Sequence, residues 1–205
     1  ASLLVGAGRK PSWLIGGTPH SLPSASHWDS GSFMVVEACE YDHSFLNLHP
    51  AVAVVHNIEP DHMEYFGSFD NLTKAFRDFV GRLGPKGVVF ANWDDPVVRT
   101  LALQSRRRVV SYGLEAGAMY GATIRRTKVG CTTFSLVQGK QCRPIAEISL
   151  GIPGMVNVCN ALAAASVAHW LGATGEQLSS TLSAFRGVRR RFEPIGTFHG
   201  APVID

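Results

Sequence analysis

The chain has 205 residues, of which 45% are hydrophobic and 17% are charged, and its formal net charge is +3. A chain of this length can bury a core without disulfide or metal staples, and no apolar run approaches the roughly 20 residues of a membrane-spanning helix. Because the first residues show neither a secretory nor a transit signal, we expect a soluble protein of the cytoplasm.

Strands and helices are predicted to alternate along the first half of the chain. Apolar helical spacing predicts a helix that begins at Ser68 or Asp70 and stops at Gly84, and the carboxylates at 94–95 open a second helix that runs to Leu103. This alternation is typical of a doubly wound, mostly parallel α/β sheet. Short apolar runs bounded by Gly, Asp or Pro predict its strands at residues 33–36, 51–58, 87–92 and 108–113.

The second half begins with a different period. Between residues 118 and 150 the pattern alternates with a period near two, which predicts a small antiparallel meander attached to the main sheet. A helix is then predicted to run to Trp170, and another from a cap at Thr174 to Phe185. The last run, residues 197–205, predicts one more strand.

Cysteine and arginine patterns exclude two other classes of function. The arginines cluster at 106–108 and 189–191 without interleaved aromatic residues, so a nucleic-acid surface is not predicted. The cysteines lack the spacing of a zinc site or a disulfide framework. We therefore expect reduced, buried thiols at Cys39, Cys131, Cys142 and Cys159.

Ionisable side chains are concentrated between residues 35 and 67, at the ends of two predicted strands. Glu37 follows the first strand, and the segment 57–62 follows the second. Ligands of open α/β sheets bind beyond the carboxyl ends of the strands, where a carboxylate and an imidazole can hold a phosphate-bound Mg²⁺. Solvated side chains, or side chains that pair with each other, are the alternative, and spacing alone leaves both open.

Five segments carry a more specific pattern, namely PSWLIGG, VEACEYDHSFL, NIEPDHMEYFGSFDNLTKAFRDF, IPGMVNVCNALAAA and FRGVRRRFEPIG. Together they span nearly the whole chain and resemble the central domain of the Mur ligases, the ATP-dependent amino-acid ligases of peptidoglycan precursor synthesis. The segments E-A-C-E-Y-D and G-V-R-R-R-F-E are most similar to those of the branch that adds L-alanine to UDP-N-acetylmuramate. The resemblance implies a P-loop NTPase-like α/β fold.

By motif position, the resemblance also implies roles for five residues. Glu37 matches the family's Mg²⁺-binding Glu, and His62 matches the His that binds a second Mg²⁺. Asn157 and Asn160 match the pair that meets the adenine end of ATP, and their spacing places both on one helix face, although capping by Asn157 is the structural alternative. Arg191 matches the Arg that approaches the terminal phosphate, a task that suits a planar, permanently charged guanidinium.

The implied cofactors are ATP and Mg²⁺, and the implied substrates are UDP-N-acetylmuramate and L-alanine. ATP would phosphorylate the lactyl carboxylate, and the amine of L-alanine would attack the resulting acyl phosphate. Mg²⁺ at Glu37 and His62, together with the cation of Arg191, would offset the negative charges that this step brings together. No enzyme nucleophile is needed, so Cys39 is expected to pack rather than react.

The sequence departs from the family pattern in three places. The phosphate-gripping G-T-H-G-K-T-T segment is absent, and no G-x-x-x-x-G-K-[ST] occurs in the 205 residues. Val156 replaces the usual His before the first Asn, and Phe76 and Arg77 stand where sister ligases carry a carbamylated Lys. We expect residues 1–205 to be a central-domain fragment that lacks the phosphate loop, the amino-terminal UDP-binding domain and the carboxyl-terminal amino-acid-binding domain, and that is inactive alone.

Three other functions stay open on the sequence. A ligase of the same family that recycles murein tripeptide would show nearly the same motifs. A noncatalytic binding module could keep the fold and lack the phosphate loop. A two-metal hydrolase could use the side chains of Glu37, Asp42, Asp61 and His62.

Overall fold

The computed structural model describes residues 1–191 and 193–205. The helices are α1 (Ser2–Gly6), α2 (Met63–Phe66), α3 (Phe69–Gly81), α4 (Pro96–Gln104), α5 (Met155–Trp170) and α6 (Gly175–Ala184), and a 3-10 helix occupies Tyr41–Asn47. The strands are β1 (Ser12–Leu14), β2 (Ser26–His27), β3 (Met34–Val36), β4 (Val52–Val55), β5 (Val88–Asn92), β6 (Arg108–Gly113), β7 (Tyr120–Lys128), β8 (Cys131–Gln138), β9 (Arg143–Leu150), β10 (Pro194–Phe198) and β11 (Ala201–Ile204).

A six-stranded sheet in the order β4-β5-β6-β7-β8-β9 forms the centre of the fold. Its first four strands are parallel neighbours, and β8 and β9 continue the sheet as an antiparallel meander. The predicted α/β class, with a mostly parallel sheet and an attached meander, is confirmed.

Helices cover both faces of this sheet because the side chains of its parallel strands alternate. Val88 and Phe90 of β5 belong to a core with α5 and α6, whereas Val89 and Ala91 belong to a second core with α3 and α4. All four side chains are almost fully buried. A strand that is apolar at every position therefore supplies two cores at once.

Side-chain caps fix the start of three helices close to their predicted positions. Ser68 Oγ accepts a hydrogen bond from Asn71 N at α3, and Asp95 Oδ1 accepts two from the first turn of α4. Thr174 forms a reciprocal capping box with Gln177 at α6. Each cap satisfies amides that have no partner inside the helix.

The outer edge of the meander is covered by α6. Ser179 Oγ donates to the carbonyl of Glu147 in β9, and Ser183 Oγ accepts from Ser149 N. Gly175 lies so close to the Ile145 carbonyl that a Cβ there would clash with it. The helix thus blocks an edge that would otherwise be open to strand pairing.

Several predictions about the strands need correction. The run at 33–36 does form β3, but it pairs with β1, which was not predicted, in a separate sheet of order β2-β1-β3. The run at 51–58 ends early, at Val55, and the following residues form a loop. The final run is not one strand, because His199 and Gly200 adopt positive φ angles of 49° and 82° and turn the chain into the hairpin β10–β11.

The expectation of buried thiols is wrong for two cysteines. Cys39 and Cys142 are exposed, whereas Cys131 and Cys159 are partly buried, and all four are free. Cys39 lies in the loop after β3 and Cys142 in the turn between β8 and β9, so both stand outside the strands and helices that bury their side chains. No helix among the described residues is both long and apolar enough to cross a membrane.

Candidate active site

The loop after β1 and the end of β3 meet at Glu37. Parallel pairing of Leu14 with Val36 brings the two segments side by side. Glu37 Oε2 then accepts a hydrogen bond of 2.6 Å from Gly16 N, while the rest of the side chain stays exposed. A Cβ on Gly16 would lie 2.8 Å from Glu37 Oε1, so glycine is what lets the carboxylate rest against this loop.

The same loop holds the segment that carries Arg191. A Cβ on Gly17 would lie 2.6 Å from Val188 Cγ1, and Arg189 N donates to the Thr18 carbonyl across 3.0 Å. Arg191 is exposed, and its own backbone N donates to the Val188 carbonyl. The two adjacent glycines therefore separate the Glu37 carboxylate from the arginine segment by only the width of one loop.

The start of α5 lies against the other side of the arginine segment. A Cβ on Gly187 would lie 3.4 Å from Ile152 Cγ2, just before the helix begins. Asn157 Nδ2 donates to the Pro153 carbonyl across 2.6 Å, and Asn160 is exposed one turn further along. The helix N-cap is Gly154, with φ 95°, and not Asn157, although the Asn157 amide does stabilise the helix start.

A third group of side chains lies where the loop between β4 and α2 meets the loop that follows β3. Ligand atoms of Glu40, Asp61 and His62 all lie within 4.8 Å of one another. His62 Nδ1 also lies 3.6 Å from Glu64 Oε1, and the centroid of the His62 ring is 4.9 Å from that of the Tyr41 ring. Carboxylate oxygens with one imidazole form a donor set that suits a divalent cation, so these residues fit the implied metal.

This grouping differs in one respect from the predicted metal ligands. His62 is accompanied by Glu40 and Asp61, whereas Glu37 lies three residues before Glu40 and its carboxylate is held by Gly16. A two-metal hydrolase would use Glu37, Asp42, Asp61 and His62. The three-residue cluster found among the described residues contains only Asp61 and His62 of these four. A second metal-binding group, which a two-metal hydrolase needs, is not found among the described residues.

A cleft of about 370 Å³ opens beside this cluster, at the carboxyl end of β4. Its polar lining consists of Glu40, His56, Asn57, Glu59 and Asp61. The position agrees with the rule that ligands bind beyond the carboxyl ends of parallel strands.

His56 lines this cleft and is hydrogen-bonded to a buried tyrosine that the sequence analysis did not identify. Tyr112 of β6 is fully buried, and its hydroxyl lies 3.1 Å from the Val55 carbonyl and 3.0 Å from His56 Nδ1. Burial lowers the pKa of His56 and raises that of Tyr112. Both groups therefore stay neutral near pH 7, and together they anchor the end of β4.

Comparisons with known proteins define the family of this chain. The family model "Mur ligase middle domain" matches residues 17–168. The structure also superposes on a UDP-N-acetylmuramate-alanine ligase from Thermotoga maritima with a TM-score of 0.79, over 100% of this chain and 45% of that one, at 24% identity. The fold is that of a Mur ligase middle domain, and the chain belongs to the Mur ligase family.

Curated relatives point to one branch of that family. UDP-N-acetylmuramate--L-alanine ligase from Aquifex aeolicus is 36% identical over 100% of this chain, and the enzyme of that name from Cereibacter sphaeroides is 39% identical, also over 100% of the chain. The chain spans about 45% and 44% of their respective lengths. A UDP-N-acetylmuramate:L-alanyl-gamma-D-glutamyl-meso-diaminopimelate ligase from Neisseria meningitides shares the fold, with a TM-score of 0.77 at 24% identity, over 93% of this chain and 62% of that one.

Proposed function

We propose that this chain is the ATP-binding middle domain of a ligase that joins L-alanine to UDP-N-acetylmuramate. The observation that carries the proposal is the contact of the loop at Gly16 and Gly17 with two other motif segments. That loop contacts the Glu37 carboxylate on one side and the segment of Arg191 on the other, which in turn lies against the start of α5. Identity of 36% and 39% to two L-alanine-adding relatives over the whole chain supports this branch of the family.

In the proposed reaction, a carboxylate oxygen of the sugar nucleotide bonds to the terminal phosphorus of ATP, and ADP leaves. The nitrogen of L-alanine then attacks the acyl carbon, phosphate leaves, and the amine loses a proton. Mg²⁺ would supply positive charge to the phosphate oxygens. No step needs a covalent bond to the protein.

The chain's own residues divide the remaining work. The guanidinium of Arg191 is exposed and permanently charged, and it would hold the terminal phosphate in line with the incoming carboxylate. His62, Glu40 and Asp61 would hold the cation, and motif position adds Glu37 as a further ligand. The side-chain amides of Asn157 and Asn160 would orient the adenine.

The phosphate grip is not assigned to these residues, because the 205 residues contain no G-x-x-x-x-G-K-[ST] motif. The proposal gives this chain the adenine end, the cation and the terminal-phosphate arginine. It also places the protein in the cytoplasm, where a nucleotide-activated sugar and ATP are both available.

The test is an activity assay on the protein expressed at the full length of its coding sequence. We expect phosphate release from ATP only when UDP-N-acetylmuramate and L-alanine are both present, with formation of an amide between them. Release with the free tripeptide L-alanyl-γ-D-glutamyl-meso-diaminopimelate instead of L-alanine would identify the recycling branch and contradict the proposed substrate. Absence of release with either would favour a noncatalytic module.

The matched control is Arg190→Gln, a neighbour of Arg191 whose side chain lies toward Asp205, and it should retain activity that Arg191→Gln loses.

A further inference from the structure

The positive charge of the chain is concentrated in the antiparallel meander. Between residues 118 and 150 there are five cations and one anion, a net charge of +4, whereas the whole chain has a net charge of +3. The remainder of the chain is thus slightly negative. Only one acidic residue of the meander, Glu147, lies among these cations.

Two of the five cations, Arg126 and Lys128, lie near the end of the β7–β8 hairpin. Arg125 lies at a bulge in β7, and its Nε donates to Ser135 Oγ across 2.9 Å. Arg126 and Lys128 are exposed at alternate positions after the bulge, so they share one face. Within the described parts of the chain, neither of them forms an ion pair with a carboxylate.

The hairpin points toward the ligand side of the sheet. β7 runs parallel to β6 but pairs with it only at Tyr120 and Gly121, so the rest of β7 extends beyond the carboxyl end of β6. At about 3.3 Å per residue this extension is roughly 20 Å long. Across the hairpin, Thr132 pairs with both Thr127 and Leu150, and α5 begins five residues after Leu150.

We propose that Arg126 and Lys128 form an electrostatic arm that steers ATP into the site. The inference rests on the proposed function, because it takes ATP as the ligand that binds at the start of α5. A polyanion approaching that edge enters the field of an unpaired cation pair that projects past the sheet. Charges of one sign around a cleft raise the association rate of an oppositely charged ligand by about 10-fold to 10³-fold at low ionic strength. The arm would act on arrival and leave the bound state unchanged.

The experiment compares two double charge reversals in the protein expressed at the full length of its coding sequence. Stopped-flow fluorescence would follow association of N-methylanthraniloyl-ATP with Mg²⁺ at about 10 mM and about 500 mM salt, where the screening lengths are about 30 Å and 4 Å. The first variant is Arg126→Glu with Lys128→Glu. The matched control is Lys140→Glu with Arg143→Glu, an equal change of charge at the opposite turn of the same meander.

We expect the first variant to slow association about tenfold at low salt and less than about twofold at high salt, with an unchanged dissociation rate. The control should change association less than about twofold. Equal slowing in both variants, or none in the first, would overturn the steering arm while leaving the proposed function intact. If the wild-type protein bound no nucleotide, the proposed function would fail together with the arm. Circular dichroism of each variant checks folding, and Arg126→Gln with Lys128→Gln, expected to slow association about threefold, replaces the reversal if it does not fold.

Discussion

The carboxylate of Glu37 is held by the backbone of Gly16, through a hydrogen bond of 2.6 Å between Oε2 and N. This contact joins residues 21 positions apart and depends on the parallel pairing of β1 with β3. It leaves the other carboxylate oxygen available to a cation and fixes its orientation. The position of Glu37 is thus set by a glycine and not by another side chain.

Gly16→Ala should therefore displace the Glu37 carboxylate. The new Cβ would lie 2.8 Å and 3.0 Å from its two oxygens, and the flexible carboxylate can move away at little cost to folding. We expect Mn²⁺ affinity, measured by electron paramagnetic resonance, to fall about tenfold, as is usual when a group that orients a ligand is lost. Gly81→Ala is the control, because a Cβ there meets no atom within 4 Å. Equal affinity in both variants would contradict a metal role for Glu37.

Replacement of His62 should separate a metal role from a structural one. His62 has φ 52°, a left-handed conformation that Asn tolerates better than Ala, so His62→Asn removes the imidazole with little backbone penalty. We expect Mn²⁺ affinity to fall at least about tenfold, with a change in the free energy of unfolding under about 1 kcal/mol. His43→Asn is a matched control, with φ 55° and no place in the three-residue cluster. A loss of stability in His62→Asn without a loss of metal affinity would indicate a structural residue.

The two asparagines of α5 should differ in their effect on folding. Asn157→Ala and Asn160→Ala are each expected to raise the dissociation constant for ATP about three- to tenfold, the effect of one lost hydrogen bond. Only Asn157→Ala should also destabilise the protein, because it removes the 2.6 Å bond to the Pro153 carbonyl. Isothermal calorimetry and urea unfolding measure the two effects. Loss of stability alone in Asn157→Ala would leave it as a helix-start residue.

Tyr112→Phe tests the anchor beneath the cleft. The hydroxyl bonds both the Val55 carbonyl and His56 Nδ1 in a buried setting, so its removal leaves polar groups without a partner. We expect a loss of about 1–2 kcal/mol in the free energy of unfolding, measured in urea. In Tyr41→Phe the lost hydroxyl belongs to a half-exposed ring, and the change should stay within about 0.5 kcal/mol. Equal effects would contradict the anchoring role.

Burial of His56 also predicts a pH dependence of stability. The folded state lowers the pKa of His56 below its unfolded value of 6.5, so between the two values the unfolded chain binds more protons than the folded one. The stability contributed by neutral His56 is present above pH 6.5 and is lost as the pH falls below that value. Urea unfolding at pH 7.5 and pH 5 should show a smaller loss for His56→Gln than for the wild type. An equal loss would show that His56 does not contribute.

Long, strongly patterned elements could be predicted from the sequence, and short ones could not. The helix α3 and the strands of the meander contain enough residues for their periods to be recognised, and the caps at Ser68, Asp95 and Thr174 mark helix starts chemically. By contrast, β1 and β2 have three and two residues, too few to show a period. Their formation depends on pairing with a distant segment.

The candidate site shows the same division. Motif position named Glu37, His62, Asn157, Asn160 and Arg191, and their metal, adenine and phosphate roles stay predictions. What the sequence did not indicate is which groups meet: Glu40 beside His62, and Tyr112 beneath His56, are contacts between separate elements. Glu40 was visible in the E-A-C-E-Y-D segment, but only the loop geometry distinguishes it from the other carboxylates.

The most direct test of the account is a calorimetric titration with Mg²⁺-ATP of this 205-residue chain, beside the same chain preceded by the family's G-T-H-G-K-T-T segment. In the proposed function, this chain makes the adenine, cation and terminal-phosphate contacts and that segment grips the other phosphates. Tight binding therefore needs both. We expect binding that is absent or weak in the first protein and at least about tenfold tighter in the second. No binding in either protein would contradict the assignment of this chain as the ATP-binding domain of a ligase.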